Sequence, residues 1–296
     1  MTIVHHPVLV QEVLEGLGLK VGAVVLDATV GLGGHAEAIL EGIGRSGRLV
    51  AMDRDQRALE VAQDRLRRFA GQVTWIHGSF GELEERLQQG GGGLLDGVLL
   101  DLGVSSLQLE DPQRGFSFSR EGPLDMRMDE EEPVKAAEIV NRASIHELEK
   151  LLRDFGEERW AGRIARAVVR ARPLSTTTQL AEVVRRAVPA GARHGRIHPA
   201  TRTFQAIRIA VNRELEVLPG AIMQAVNRLR PGGRIAVLSY HSLEDGIVKR
   251  TFREQARSGR LAVRTRKPIR PSAEEVARNP RSRSARLRVA ERQPVP

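Results

Sequence analysis

Residues 27–35 read Asp-Ala-Thr-Val-Gly-Leu-Gly-Gly-His and stand between an apolar run, Val24 to Leu26, and a stretch of helical character. A strand that turns through glycines into a helix is an arrangement that binds nucleotide-like cofactors. Gly31 and Gly33 reach backbone angles closed to other residues and let the main chain approach a ligand, while the helix start beyond them offers unpaired N–H groups. A second apolar run, Leu49 to Met52, ends in Asp53. It lies about twenty residues past the glycines, where a carboxylate grips ribose hydroxyls.

The first hundred residues alternate strand and helix signals. Short apolar runs at 24–27, 49–53, 73–76 and 97–101 are separated by helical patterns such as Ala58, Val61, Ala62, Arg65 and Leu66, which predicts a doubly wound, mostly parallel sheet. From about Ser106 to Arg208 the pattern is helical without strands. Ser144 with Glu147, and Thr176 with Gln179, form capping boxes ahead of apolar residues at helical spacing. The α/β pattern then resumes with helical stretches to either side of a break near Pro219, a turn at Pro231-Gly232-Gly233 and a strand over 235–240. The expected organisation is a Rossmann-like domain over 1–106 and 209–296, with an inserted all-helical substrate-recognition subdomain over 107–208. The four glycines at 90–93 read as a spacer.

At 296 residues, 41% hydrophobic and 28% charged, the chain can bury a full core. It has no cysteine, which excludes disulfides and thiolate metal sites. The N-terminus lacks the features of a signal peptide and no apolar stretch is long enough to span a bilayer, so a cytoplasmic enzyme is expected. The net charge is +9, and between Arg264 and Arg292 ten basic residues face three acidic ones. Nearly all are arginine, whose planar fork pairs bidentately with phosphate, so this segment points to a nucleic-acid partner. Leu287 and Val289 within it alternate as in a terminal edge strand. No motif sets an oligomeric state, and a homo-oligomer is compatible with the chain.

The string Gly31-x-Gly33-x-x-Ala36 also satisfies the dinucleotide fingerprint, so a nicotinamide enzyme is a rival on this motif alone. Against it stand Asp27 before the loop and Asp101 at the end of the fourth apolar run. Two carboxylates repel a pyrophosphate but suit a cofactor with a cationic amino-acid tail and a sulfonium, which favours S-adenosylmethionine. His194 and His198 lie four apart, yet Gly195 and Pro199 argue against one helical face, and no third ligand supports a metal site. Ser239 and His241 lack the flanking glycines of a hydrolase elbow. The alternative from a different class is a non-catalytic RNA-binding protein on a cofactor fold, separated from an enzyme by whether the chain binds S-adenosylmethionine.

Ordered strings extend over nearly the whole chain: His-Pro-Val-Leu at 6–9, the glycine loop at 27–35, Asp-Arg-Asp at 53–55, and Asp-Leu-Gly-Val-Ser-Ser-Leu-Gln-Leu at 101–109. They continue with Arg-Gly-Phe-Ser-Phe at 114–118, Leu-Asp-Met-Arg-Met-Asp at 124–129, Gly-Glu-Glu-Arg at 156–159 and His-Pro-Ala-Thr-Arg-Thr-Phe-Gln-Ala at 198–206. Arg-Ile-Ala-Val-Asn at 208–212, His-Ser-Leu-Glu-Asp at 241–245 and Asn-Pro-Arg-Ser-Arg-Ser-Ala at 279–285 complete them. With these strings the chain resembles the bacterial 16S ribosomal RNA cytosine-N4 methyltransferase family, known as RsmH or MraW. It departs from the family pattern at Tyr240, where Phe is expected, and at Gly246, where Arg is expected.

The resemblance implies a class I S-adenosylmethionine methyltransferase fold, 16S rRNA in the small ribosomal subunit as partner, and cofactor contacts at Gly33, Gly34, His35, Asp53, Phe80, Asp101 and Gln108. Residue chemistry agrees for several: Asp53 can take two ribose hydroxyls, Phe80 can cover the adenine face and Asp101 can pair with the methionine ammonium. Asp101, Ser105 and His241 are candidates for accepting the proton that the target nitrogen loses, and the Pro-Pro-aromatic string of DNA amino-methyltransferases is missing after Asp101. Arg114, Phe116, Phe118, Asn212, Arg281 and Arg283 are candidate RNA contacts. The two phenylalanines alternate as in a strand and offer a base platform that the insert would present at the cleft.

Overall fold

The computed structural model describes residues 7–89, 93–193 and 197–294. The chain divides into two compact units, one made of Met1–Gly103 and Leu215–Pro296, the other of Val104–Glu214. The first unit opens with α1 (Val10–Leu17), then alternates β1 (Val24–Asp27), α2 (Gly34–Ile43), β2 (Arg48–Asp53), α3 (Gln56–Arg65), β3 (Val73–His77), α4 (Leu83–Gln89) and β4 (Leu95–Asp101). The second unit holds α5 (Ser106–Glu110), α6 (Ala136–Arg142), α7 (Ile145–Gly156), α8 (Ala161–Arg170), α9 (Thr177–Ala187) and α10 (Thr201–Asn212). The chain returns through α11 (Glu214–Arg228), β5 (Leu229–Ser239), α12 (Ser242–Arg257), β6 (Leu261–Val263), α13 (Ala273–Arg278) and β7 (Arg286–Arg292).

Among the described residues the strands form one sheet in the order β3-β2-β1-β4-β5-β7-β6. β1 to β5 are parallel, and β7 runs antiparallel to both β5 and β6. Side chains alternate between two cores because successive strand residues point to opposite faces. Val25, Leu49, Ala51, Leu99 and Leu238 pack under α1, α2 and α3, while Leu26, Val50, Met52, Leu100 and Val237 pack under α4, α11 and α12. Burial on both faces is why these strands read as continuous apolar runs.

Three elements differ from the sequence expectation. α11 runs through Pro219, and the break falls six residues earlier, at Arg213, which takes a left-handed φ of 51° between α10 and α11. Pro219 lies in the second turn and removes one helical bond, while buried Leu218, Ala221 and Ile222 hold that turn against the sheet. β5 starts at Leu229 and takes in Pro231-Gly232-Gly233, with a register shift against β4 between Leu95 and Gly97. β7 is not an edge strand; it lies between β5 and β6.

The second unit has its own core, in which Val140, Leu148, Leu152, Ile164, Leu180 and Phe204 are buried together. Its boundaries, 104 and 214, stand three residues before and six after the 107–208 expected from sequence. Ser144 with Glu147 caps α7 and Thr176 with Gln179 caps α9, both as reciprocal boxes. The approach of two backbone segments sets two of its glycines: a Cβ on Gly122 would fall 1.8 Å from Pro112 O, and one on Gly115 2.2 Å from Pro123 O. Among the described residues no helix is long and apolar enough to cross a membrane.

Candidate active site

The strand order reverses between β1 and β4, and open α/β sheets bind ligands at the carboxyl ends of strands flanking such a reversal. Asp27 ends β1, Asp101 ends β4 and Asp53 ends the adjacent β2, so three carboxylates share this edge. The loop after β1 is tied to both neighbouring strands: Ala28 N donates to Leu99 O (3.0 Å), Val30 N to Met52 O (2.9 Å), and Thr29 Oγ1 accepts from Asp101 N (2.6 Å). Gly33, with φ of 79°, sets the start of α2. Gly34 lets Pro7 pack on the loop, since a Cβ there would stand 3.0 Å from the proline ring.

Burial raises the Asp27 carboxyl from 3.8 to about 7, partly opposed by His35 and by the Thr29 N–H. One of its oxygens, Oδ2, is buried with no hydrogen-bond partner. His35 Nε2 donates to Val8 O (2.8 Å), which leaves Nδ1 facing Asp101 Oδ2 at 3.4 Å. A bare nitrogen lone pair facing a carboxylate is repelled, which favours the ring form with a proton on both nitrogens. Burial works against that charge, but Asp101, Asp27 and the Val8 carbonyl outweigh it and hold the imidazole above its ordinary value. The Tyr240 hydroxyl donates to Asp101 Oδ1 at 2.8 Å, and burial together with Asp101 pushes its ionisation far up, so it remains a donor.

Burial also raises Asp53, from 3.8 to about 6, against N–H donors from Asp55 (2.9 Å) and Gly31 (2.8 Å) that favour its charge. The Gly31 bond ties the second carboxylate to the glycine loop. Phe80 follows β3 at the same edge and is half-buried at the head of a short 3-10 turn. Gly33, Gly34, His35, Asp53, Phe80 and Asp101 are thus brought together in one unit, with Asp27, Thr29 and Tyr240 completing the polar set. A buried oxygen without a donor beside two further carboxylates is a fit for a cationic ligand group.

The remaining candidates have structural partners. Ser105 and Gln108 cap α5 reciprocally, with Gln108 N donating to Ser105 Oγ (3.2 Å) and Ser105 N to Gln108 Oε1 (3.0 Å). His241 is the N-cap of α12, where its Nδ1 accepts from Glu244 N (3.4 Å) and its Nε2 stands 3.1 Å from Glu244 Oε1. The Nε2 atom is buried and has no hydrogen-bond partner, so His241 stays among the proton-accepting candidates. The RNA candidates in the second unit need correction. No strand exists at 115–118 and Phe116 is a core residue, 8% exposed. Phe118 is half-buried, stacked on His198 (4.6 Å between centroids) and edge-on to Phe204 (4.9 Å). Arg114 is buried with its guanidinium donating to the carbonyls of Arg127 (3.0 Å) and Met128 (2.8 Å). Asn212 is buried too: its Nδ2 donates to Met126 O and its Oδ1 accepts from Met128 N, each at 2.8 Å. Both side chains build the 111–135 loop from inside. Arg281 and Arg283 are exposed. Of the histidine pair weighed for metal, His194 lies outside the described residues.

A doubly wound sheet of this order, with a glycine loop and acidic strand ends at the reversal, defines a Rossmann-like class I S-adenosylmethionine methyltransferase. The MraW methylase family matches residues 2–293, and the chain belongs to it. Ribosomal RNA small subunit methyltransferase H of Trichlorobacter lovleyi is 52% identical over 85% of this chain and 82% of its own length. The protein of the same name from Symbiobacterium thermophilum is 47% identical over 92% and 91%. Among solved structures, a putative rRNA-methylase from Clostridium thermocellum shares the fold, with a TM-score of 0.50 at 13% identity over 98% of this chain and 100% of that one.

Proposed function

We propose that this enzyme transfers a methyl group from S-adenosylmethionine to the exocyclic N4 of a cytidine in small-subunit ribosomal RNA, acting in the cytoplasm where ribosomes are assembled. The observation that carries the reading is the set of three carboxylates at the strand-order reversal, in a chain of the MraW methylase family. When bound, the cofactor supplies an electrophilic methyl on a sulfonium.

Asp53 accepts the ribose hydroxyls while its bonds to Gly31 and Asp55 fix its carboxylate. Asp27 and Asp101 would hold the cationic amino-acid end, and Phe80 would cover the adenine. The cytosine N4 lone pair is delocalised into the ring, so an acceptor for one of its protons and close alignment do most of the work. N4 gives the electron pair of the new N–C bond, the S–C pair stays on sulfur, and the proton passes to an acceptor. Asp101, with one-fifth of its side chain exposed and its orientation fixed by Tyr240 and His35, and His241, whose buried Nε2 has no hydrogen-bond partner, are the candidates for that acceptor. Exposed Arg281 and Arg283 hold RNA phosphates.

The test is to supply labelled cofactor with either free small-subunit rRNA or assembled small subunits and digest the product to nucleosides. Label in N4-methylcytidine is expected, and the better of the two substrates identifies the ribosomal context. Label in any other nucleoside, or none in either RNA, rejects the reading.

A further inference from the structure

α8 carries Arg163, Arg166 and Arg170, spaced three and four residues apart, so all three emerge on one helical face. This face borders a groove of about 500 Å³ against α9, to which α9 contributes Val183, Ala187 and Arg186. The floor is apolar and small, and no acidic side chain lines it. The three arginines of α8 are exposed, and among the described residues neither Arg166 nor Arg170 has an ion-pair partner. Arg163 stands with its guanidinium carbon 6.0 Å from the centre of the Trp160 ring. Of the nearby carboxylates, Glu182 pairs with Arg185 (2.7 Å) and with the groove's own Arg186 (2.6 Å), and Glu149 of α7 with Arg153 (2.5 Å), so none neutralises Arg166 or Arg170.

Unpaired guanidinium groups crowded on one face repel one another, and an elongated polyanion relieves that repulsion. From Arg163 to Arg170 the helix rises about 10 Å, at about 1.5 Å per residue. That length is suited to a run of phosphates rather than to a single anion. We infer that the α8/α9 groove seats the phosphodiester backbone of the RNA substrate, with Arg166 and Arg170 each engaging a phosphate. The inference rests on the RNA-methyltransferase reading and adds to it a binding surface on the second unit. Phosphate contacts of this kind position the nucleic acid and carry no sequence information. Sequence discrimination therefore belongs to other residues.

The experiment uses the full-length chain, Arg166→Gln/Arg170→Gln, and as a comparison Arg142→Gln, whose guanidinium pairs with Glu138 on α6. Binding of a small-subunit rRNA fragment is measured over a range of salt concentrations, with S-adenosylmethionine affinity and melting temperature as controls. The double variant is expected to bind RNA about tenfold or more weakly at moderate salt. Its log–log salt slope should be shallower by about 1.4, about 0.7 for each lost single-strand phosphate contact. Cofactor affinity and melting temperature stay unchanged, and Arg142→Gln behaves as the parent. An unchanged RNA affinity and slope in the double variant overturns the inference and leaves the groove to another occupant, such as an acidic protein segment. If the parent chain fails to methylate rRNA, the functional reading falls, while the salt slope still decides the groove.

Discussion

At the residue scale, the consequence of burying Asp27 is a proton held at a pH where an ordinary aspartate has none. Its carboxyl titrates near 3.8 in the unfolded chain and about 7 in the folded one, and Asp53 moves the same way, to about 6. The folded state therefore binds protons more tightly than the unfolded state. That contribution to stability is fully present below about pH 4 and is lost as pH rises towards 7. For Asp27 alone the shift is worth on the order of 4 kcal/mol. The ligand-free protein is expected to be more stable at pH 5 than at pH 8 in urea denaturation, and Asp27→Asn to flatten most of that difference. An equal slope in parent and variant would remove Asp27 from this role. A cationic ligand favours the ionised carboxylates, so its binding releases protons, and cofactor affinity should rise between about pH 5.5 and 7.5. Calorimetry in two buffers of different ionisation enthalpy reads that release directly.

At the scale of elements, Phe116 and Phe118 separate a packing role from a recognition role. Phe116 lies in the core of the second unit, so Phe116→Ala should cost about 3–5 kcal/mol of that unit's stability while activity per folded molecule is retained. Phe118→Ala should lower stability less, since its ring is half-buried against His198 and Phe204. Melting curves set beside methyl transfer per folded molecule distinguish the two, and a severe loss of activity in well-folded Phe116→Ala would restore it as a base platform. The same segment shows where the sequence stops being legible. β1, β2 and β4 stand out because both faces are buried and nearly every residue is apolar. The capping boxes of α7 and α9 follow from a local rule of three residues' reach. Phe-Ser-Phe at 116–118 imitates strand alternation with no neighbouring strand to pair with. Arg114 and Asn212 look like ligand-binding groups because a sequence does not show that a polar side chain points inward at backbone carbonyls. At the site, Asp53, Asp101 and the glycine loop follow from spacing, whereas the Tyr240 bond to Asp101 joins residues 139 apart and needs the β4–β5 pairing to become visible. The arginines of α8 likewise form a surface only once α9 lies beside them.

At the scale of the whole molecule, the basic C-terminal segment serves the sheet as well as any RNA. β7 pairs on both sides, and within it Arg288 is buried and donates to Asp245 Oδ1 at 2.6 Å, while Arg264 and Arg234 share Glu291. A chain ending at Arg278 is thus expected to lose its cooperative thermal transition and its cofactor binding along with RNA binding. Retention of full cofactor affinity in that truncated chain would show β7 to be dispensable to the sheet. The first unit is also discontinuous: β4 ends at Asp101 and its partner β5 begins at Leu229, with the whole of the second unit between them. During synthesis at about 5–20 residues per second, β4 therefore waits about 6–25 s for that partner. Over that interval the apolar strand destined for the middle of the sheet is an open edge on a nascent chain, the part most in need of a chaperone and the first to aggregate when translation outruns folding.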